Sequence, residues 1–271
     1  MPGNTTDYHC FALVECQKIE YAFNHVEGLK MKPAAIQEDG TVYKCEMYDL
    51  YSLCNEVYYH HNIWKNIYKA SQSGDYVLMQ AKSAFNVNKT NGTRIYSYNQ
   101  FIIEEDWVQN VFKDEIAELG EDNFFTSSMP RLILTTSNQD FIKIDNNIIK
   151  MPVLMGMRSD SNSTVFEFTN NYIDISRFLY YGLLRYGNYI YDGQIFERTT
   201  IVTNNTIKIQ NYHQSKDNDG NIIVEEPYSY LFKGNGKAPK LFKFADNHVS
   251  FPGQMYCFLD NITTDSDFSK L

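Results

Sequence analysis

The run of hydroxyl and carboxylate side chains from residue 215 to residue 226 is the pattern with the most specific chemical meaning. Ser215, Asp217 and Asp219 alternate with other residues, Gly220 follows, and Glu226 stands at the twelfth position. This order is similar to a calcium-binding loop. Serine at the first position removes one carboxylate, however, and the proline after the loop blocks an exiting helix. Because Asp-Gly is also ordinary turn chemistry, we expect a long hairpin turn and no metal site.

A phosphate-binding loop is the second chemistry that the residue types suggest. Residues 234–237, Gly-Asn-Gly-Lys, resemble the end of such a loop. A true loop needs another glycine five residues before the Gly-Lys pair and a serine or threonine after the lysine. Leu231 and Ala238 occupy those positions. We therefore expect a turn here, and no cofactor-binding residue is identified.

Catalytic side chains form no recognisable constellation in the sequence. The six histidines lack the spacings of zinc sites, and no Gly-x-Ser-x-Gly elbow is present. The pairs Glu104-Glu105 and Glu225-Glu226 lie at predicted element ends, where charged side chains are normally solvated. We expect no catalytic residue, no metal ligand and no required cofactor. A paired-carboxylate glycosidase stays open, because such a pair is assembled in space and leaves no sequence spacing.

The number and spacing of the five cysteines predict reduced thiols and no disulfide framework. They are Cys10, Cys16, Cys45, Cys54 and Cys257. Their number is odd, and neither a CxxC motif nor a zinc spacing occurs. We expect buried thiols in a reducing compartment, where cysteine behaves as a small hydrophobic residue.

Aromatic residues are the most unusual part of the composition, with 21 tyrosines and 18 phenylalanines. Several tyrosines occur in close pairs, such as Tyr58-Tyr59 and Tyr96/Tyr98. One interpretation is strand propensity combined with AT-rich codon usage. The other is a surface built for extensive self-contact, because tyrosine offers a large rigid ring with a polar tip. The sequence leaves both open.

Hydrophobic periodicity predicts three helices, near residues 46–70, 104–119 and 173–186. In the first, seven bulky residues are spaced alternately three and four apart, as on one face of a helix. These residues are Met47, Leu50, Cys54, Val57, His61, Trp64 and Tyr68. The second begins with acidic residues and ends at Gly120, a natural C-cap. The third has Asp174 near its start and Gly187 at its end.

The other segments alternate strand-forming runs with turn residues. Asn91-Gly92 is a strong hairpin signal between predicted strands at 76–81 and 94–103. Beyond residue 189, turns recur every 8 to 14 residues, which is typical of a β-sandwich or barrel. No internal repeat is recognised. We predict an α+β fold, mainly an antiparallel β-sandwich with about three flanking helices, as a single domain over residues 1–271.

Composition argues against several function classes. The net charge is −9 and the pI is near 5.2, so a general nucleic-acid-binding surface is not expected. Hydrophobic residues make up 43% of the chain, which is enough for a core and unlike a disordered protein. No apolar window of 18 residues occurs, so we expect no membrane partner. The first residues lack the basic and apolar regions of a secretory signal.

Two stretches resemble cypovirus polyhedrins, the proteins of insect-virus occlusion crystals. One is residues 39–42, Asp-Gly-Thr-Val, which lead into the tyrosine-rich predicted helix. The other begins with residues 130–134, Pro-Arg-Leu-Ile-Leu, and continues through residues 142–153. It is similar to the strand–turn–strand centre of that family. Residues 8–16 depart from the family, which begins with a projecting helix, because they are predicted to form a strand.

The resemblance implies a β-sandwich with flanking helices, a trimer as the homo-oligomer, and packing into crystals around virus particles. The location would be inclusion bodies in the cytoplasm of an infected host cell. A nucleotide bound at lattice contacts is also implied, although no residue of this chain is matched to it.

These considerations predict a non-enzymatic structural protein that assembles with itself into a dense lattice, as in a viral occlusion body. Tyrosine begins to ionise near pH 10 and lysine loses its charge slightly above that. A close-packed assembly would then become strongly negative and repel itself. We therefore expect stability at neutral pH and dissolution at alkaline pH. The alternative is a β-rich carbohydrate-active enzyme or ligand-binding domain, whose aromatic residues would stack on sugars.

Overall fold

The computed structural model shows a chain built mainly of short strands that follow one another around the corners of a prism. The described residues are 5–14, 16–31, 35–36, 42–52, 54–69, 76–82, 92–128, 130–136, 139–160, 163–179, 182–187, 199–211, 230–235, 241–251 and 256–260.

Each passage of the chain around the prism, here called a coil, contributes one strand to each of three sheets, A, B and C. The first coil is β1 (Thr5–Val14), β2 (Lys18–Ala22) and β3 (His25–Met31). The second is β5 (Val42–Ser52), β6 (Glu56–His60) and β7 (Ile63–Lys69), with the short β4 (Ala35–Ile36) before it. The third is β8 (Tyr76–Lys82), β9 (Thr93–Ser97) and β10 (Gln100–Ile102).

Three short helices separate the third coil from the fourth. The fourth to sixth coils are β11 (Pro130–Thr136), β12 (Gln139–Asp145) and β13 (Ile148–Leu154); then β14 (Gly156–Asp160), β15 (Ser163–Thr169) and β16 (Tyr172–Leu179); then β17 (Gly182–Gly187), β18 (Thr199–Thr203) and β19 (Thr206–Ile209). The seventh is β20 (Tyr230–Asn235), β21 (Leu241–Ala245) and β22 (His248–Ser250), and β23 (Tyr256–Asp260) adds one more strand to sheet A.

Strands pair with the equivalent strands of the neighbouring coils. In sheet B, for example, β6 lies between β2 and β9 and is parallel to both. Among the described strands, only the short β4–β5 contact is antiparallel. Three parallel sheets wound from one chain make a parallel β-helix, a solenoid in which each coil contacts mainly its neighbours.

The predicted antiparallel β-sandwich is wrong, and the β-sandwich implied by the polyhedrin resemblance is wrong with it. The strands predicted as a hairpin, β8 and β9, lie in different sheets and pair with other coils. The described turn residues Asn146-Asn147 and Asn204-Asn205 are corners that send the chain from sheet B to sheet C. The hydrogen-bonded partner lies one coil away, which at the asparagine corners is 24 to 48 residues along the chain. Hairpins and corners need the same turn residues, so local signals did not separate them.

Two of the three predicted helices are also wrong. Residues 46–70 contain part of β5 with β6 and β7, and residues 173–186 contain most of β16 and β17. Val57, Tyr59 and Trp64 are buried, whereas His61 lies exposed at the corner between them. Within a strand such as β6 every second side chain is buried, and each corner shifts this alternation along the sequence. That combination imitates the three-four spacing of a helix face.

The helix predicted at 104–119 is confirmed in position. It is divided into α1 (Glu105–Val111) and α2 (Lys113–Leu119), and α3 (Glu121–Ser127) follows. The rings of Phe112 and Phe124 pack on Tyr68 of β7, with centroids 5.6 and 6.1 Å away. This burial fixes the helices on the side of the solenoid.

The corner between sheets B and C has the same structure in the seven described coils that contain it. A residue with positive φ is followed by an asparagine. The positive-φ residues are Phe23, His61, Tyr98, Asn146, Asn170, Asn204 and Asp246, and the asparagines are Asn24, Asn62, Asn99, Asn147, Asn171, Asn205 and Asn247. Each of the first six asparagines donates its backbone N–H and its Nδ2–H to Oδ1 of the next, as Asn62 does to Asn99 at 3.1 and 3.0 Å. This asparagine ladder runs along the solenoid and joins coil to coil.

The Arg177 side chain fastens the helices to the fifth coil. Its Nε donates to Glu105 Oε1 at 2.7 Å, its Nη2 donates to Glu121, and its guanidinium carbon lies 4.4 Å from the Phe125 ring centroid. These charge-assisted bonds are shorter and stronger than neutral ones, and Arg177 is only 21% exposed.

Replacing Arg177 by methionine is expected to lower the free energy of unfolding by about 2 kcal/mol, because two charge-assisted bonds and the ring contact are lost. Urea unfolding measures the loss, and hydrogen exchange should show it concentrated in α1 and α3. Lys30→Met is the matched control. Lys30 contacts the helices through Glu115, the Val111 carbonyl and the Phe112 ring, but its ion pair is more exposed, at 44% and 34%, so the loss should stay below about 1 kcal/mol. Equal losses in the two variants would contradict the anchoring role of Arg177.

Candidate ligand-binding surface

The outer face of sheet B presents polar and ionisable side chains in straight rows. The parallel register stacks equivalent residues of successive coils about 4.7–4.9 Å apart along the axis. One row is Glu20, Tyr58, Ile95, Lys143 and Glu167, and the next is Ala22, His60, Ser97, Asp145 and Thr169. The face therefore offers carboxylate, phenol, ammonium, imidazole and hydroxyl groups at a regular repeat.

An exposed column of aromatic rings lies beside these rows, at the corner between sheets B and C. The column consists of Phe23, His61 and Tyr98. The His61 ring is stacked between the other two, with centroids 5.0 Å from Phe23 and 4.9 Å from Tyr98. Phe23 is 76% exposed and Tyr98 is 52% exposed.

The backbone under the aromatic column is strained. Its three residues have φ values of 55° to 60°, a left-handed conformation that phenylalanine and tyrosine rarely adopt and that histidine adopts more readily. The same corner position carries Asn146, Asn170, Asn204 and Asp246 in the other four coils, and these residue types tolerate that conformation well. The rings therefore occupy backbone positions at which asparagine would cost less conformational free energy. Strain of this kind tends to be kept at functional sites.

A chain of hydrogen bonds connects Glu20 to the column. His60 Nε2 lies 3.0 Å from Glu20 Oε1, and His60 Nδ1 lies 2.9 Å from His61 Nδ1. If neutral His60 donates from Nε2 to Glu20, its Nδ1 must accept, so His61 donates from Nδ1. The Nε2 atom of His61 then carries a lone pair. It can accept a hydrogen bond from a ligand hydroxyl.

Tyr58 adds a phenol to the same face, and its single proton is held by a neighbouring carboxylate. Its hydroxyl donates to Glu56 at 3.2 Å, and Lys18 Nζ lies 4.8 Å from its ring centroid. Burial, together with the hydrogen bond to Glu56, raises the pKa of Tyr58. The phenol therefore stays protonated at neutral pH.

Asp145 is a preorganised carboxylate on this face. It accepts hydrogen bonds from Thr169 Oγ1 at 2.6 Å, Asn170 Nδ2 at 2.9 Å and Asn146 Nδ2 at 2.6 Å. Lys143 Nζ lies 3.5 Å away. Burial opposes ionisation of Asp145, but these hydrogen bonds and the lysine outweigh it and hold the pKa below its ordinary value. The carboxylate is charged at neutral pH.

Together these groups suit a ligand that is rich in hydroxyls. The exposed Glu20 carboxylate and His61 Nε2 accept hydrogen bonds, while Lys143 donates them. The aromatic column supplies apolar contact next to these groups. Because His61 is covered on both faces, the column presents mainly ring edges to the solvent.

The residues considered at the sequence level do not come together in one site. Residues 215–226 lie outside the described residues, and the phosphate-loop-like segment is described only as far as Asn235, the end of β20. Glu104 and Glu105 have different partners, Asn66 at 2.9 Å and Arg177 at 2.7 Å. The hydrogen bond from Asn66 holds the pKa of Glu104 below its ordinary value. This pair fastens α1 and is not a catalytic dyad.

The paired tyrosines divide between inside and outside. Tyr59 and Tyr96 are fully buried, whereas Tyr58 and Tyr98 lie on the outer surface. Part of the tyrosine content is therefore core material, and part of it belongs to the candidate surface.

This surface was not predicted from the sequence, because the repeating coil of three strands was not recognised. The available signal was the recurring Asn-x-apolar triplet, as in Asn62-Ile63-Trp64 and Asn171-Tyr172-Ile173. Its irregular intervals, from 24 to 48 residues, conceal the repeat.

Within the described ranges, no group of three or more histidine, cysteine, aspartate or glutamate side chains is placed to hold a metal ion. No helix in the same ranges has the length and apolar character needed to cross a membrane. Comparison with protein-family models, with curated proteins and with solved structures finds no match.

Proposed function

We propose that this protein binds an extended, hydroxyl-rich polymer, a polysaccharide, along the outer face of sheet B and the aromatic column. The observation that carries the proposal is the presence of Phe23, His61 and Tyr98 at consecutive left-handed corner positions where the other coils use asparagine or aspartate. Backbone strain that is not needed for the fold points to a role for the exposed rings.

The repeat of the solenoid favours a polymer over a small ligand. Equivalent side-chain positions recur at each coil, so an extended chain lying along the axis can make a contact at every coil. Both signs of charge alternate on the face, as in the row Glu20, Lys143 and Glu167, with Lys143 Nζ 3.9 Å from Glu167. This mixed charge favours a neutral or weakly charged glycan over a strongly anionic polymer.

Replacing Phe23 or Tyr98 by asparagine is expected to weaken polysaccharide binding about three- to tenfold, because an aromatic contact contributes about 0.5–1.5 kcal/mol. The same variants should keep or raise the thermal midpoint, since asparagine suits the left-handed backbone. Affinity electrophoresis in gels containing xylan, β-glucan, pectin or dextran measures binding, and calorimetry with the polysaccharide that binds measures affinity.

Glu118→Ala is the control for this test. Glu118 is exposed on α2, outside sheet B and the aromatic column, so its truncation should leave affinity within about twofold of the native value. If no polysaccharide in the panel slows the native protein, or if the asparagine variants bind as tightly as it does, the proposal fails.

A second candidate is the self-assembling structural protein, with a lattice that is stable at neutral pH and dissolves at alkaline pH. The exposure of Phe23 and Tyr98, at 76% and 52%, favours it as well, because exposed aromatic patches also mark protein–protein contacts. Light scattering at neutral pH separates the candidates. Large assemblies that Phe23→Asn prevents would support self-assembly, whereas a monodisperse monomer that binds polysaccharide would support the first proposal.

A further inference from the structure

Cys16 and Cys54 face each other across the first two coils, at the corner between sheets A and B. The pairing of β2 with β6 continues back through this corner, because Asn55 N donates to Cys16 O at 3.3 Å and Glu56 N donates to Gln17 O at 3.1 Å. The two thiols are in hydrogen-bond contact. Adjacent strands lie about 4.7–4.9 Å apart, inside the range of about 4.4–6.8 Å between Cα atoms that a disulfide requires.

We propose that Cys16 and Cys54 are a modification site: they form a disulfide that joins the first coil to the second when the protein meets a low-molecular-weight disulfide such as oxidised glutathione. Both are reduced thiols in the structure. Cys16 is partly exposed and Cys54 is fully buried. This difference in access sets the order of the reaction.

The reaction is two successive thiol–disulfide exchanges. The Cys16 thiolate attacks one sulfur of oxidised glutathione, which forms a mixed disulfide and releases one glutathione thiolate. The Cys54 thiolate then attacks Cys16 Sγ and releases the second glutathione. Two protein thiols are oxidised, one glutathione disulfide is reduced to two thiols, and the two thiol protons pass to the released glutathione.

Arg94 assists the second exchange. Its side chain is fully buried, and its Nη2 donates to the carbonyl oxygen of Cys54. Burial raises the pKa of the Cys54 thiol, while the Arg94 charge acts in the opposite direction and favours the thiolate. Cys54 is therefore shielded from outside oxidants and still able to resolve a mixed disulfide on its neighbour.

The disulfide would stabilise the end of the solenoid. In sheets B and C the first coil pairs on one side only, through β2 with β6 and β3 with β7. End coils of a solenoid have fewer neighbours and open first. Cys16 and Cys54 are 38 residues apart, so their linkage closes a long loop and restricts the unfolded chain.

Incubation of the full chain with oxidised glutathione, followed by digestion with a glutamate-specific protease, tests the proposal. This protease separates the cysteines, because Cys16 lies in the peptide 16–20 and Cys54 in the peptide 47–56. We expect these two peptides to be linked and two hydrogens lighter than their sum. The thermal midpoint should rise by about 5 °C and return to its starting value with reductant.

The Cys54→Ser variant is expected to hold glutathione on Cys16 without a rise in the midpoint. The Cys16→Ser variant, altered at the more accessible position, should form no linked peptide and gain no glutathione at Cys54. Linkage of Cys16 mainly to Cys10, Cys45 or Cys257 would overturn the proposal. So would the absence of any linked peptide from a native sample in which a small thiol reagent still modifies Cys16.

Discussion

Replacing Asn99 by alanine is expected to lower the free energy of unfolding by about 4 kcal/mol, through the loss of four hydrogen bonds of about 1 kcal/mol each. Asn99 is fully buried in the asparagine ladder. Its Oδ1 accepts from the backbone N–H and Nδ2–H of Asn62, and its Nδ2 donates to Tyr59 O and Asn147 Oδ1, all within 3.1 Å. Alanine leaves the Asn62 N–H and the Tyr59 carbonyl buried without these partners. Urea unfolding followed by circular dichroism measures the change.

Asn24→Ala is the matched control, because it removes the same side chain from the first rung of the ladder. Asn24 is only partly buried, and its Nδ2 donates to Ala22 O and Asn62 Oδ1, both at 3.0 Å. We expect a loss of about 1–2 kcal/mol. Asn99→Asp should lower the free energy of unfolding at least as much as alanine, because the Nδ2 donor becomes a carboxylate oxygen that faces the Tyr59 carbonyl and Asn147 Oδ1. A loss at Asn99 no larger than at Asn24 would show that the ladder does not hold the coils together.

Raising the pH from 10 to 12 is expected to cost the protein about 2 kcal/mol of stability through Tyr96 alone, out of about 3 kcal/mol once the phenol is ionised in both states. Tyr96 is fully buried, and among the described residues no group bonds its hydroxyl. Burial raises its pKa from 10.0 to about 12, with Arg94 acting weakly in the opposite direction. Below pH 10 both folded and unfolded chains keep the proton. Between pH 10 and 12 the unfolded chain releases it first, so stability falls by about 1.4 kcal/mol for each unit of pKa difference.

The Tyr96→Phe variant tests this directly. It should be about as stable as the native protein at pH 7, because within the described part of the chain nothing bonds the hydroxyl that it removes, and it should lose about 2 kcal/mol less between pH 10 and 12. Tyr98→Phe, which alters a ring that is 52% exposed, is the control and should retain the native alkaline loss. Urea unfolding at pH 8, 10, 11 and 12 gives the profile. Parallel profiles for the native protein and Tyr96→Phe would refute the assignment.

Alkaline instability therefore has a second physical basis in this chain. The sequence suggested repulsion between charged copies in an assembly. The buried phenol at Tyr96 predicts that a single chain is itself weakened above pH 10. The two effects can be separated by concentration, since repulsion between copies depends on it and unfolding of a single chain does not.

Local features were predictable where the signal is local. The acidic start and the C-cap glycine placed a helix at 104–119, and α1 and α2 lie there. Strand composition was also recognised at β11, β12 and β13. Their pairing was not, because each of these strands lies in a different sheet and pairs only with neighbouring coils.

The candidate surface could not be predicted from spacing in the chain. Glu20 and His60 are 40 residues apart and become neighbours only through the parallel register of sheet B. Phe23, His61 and Tyr98 form a column for the same reason. Each is separated from the next by a whole coil, and the lengths of the coils vary.

By itself, the amino-acid sequence determined an acidic, aromatic-rich chain with short strands, frequent turns and one helical segment, because composition and local propensity are properties of neighbouring residues. The tertiary structure decided that the turns are corners, that the sheets are parallel, that Tyr59 and Tyr96 lie inside while Tyr58 and Tyr98 lie outside, and that Cys16 meets Cys54. These features depend on hydrogen bonds between coils. Such bonds join residues whose separation follows no fixed interval, so only the folded solenoid brings them together.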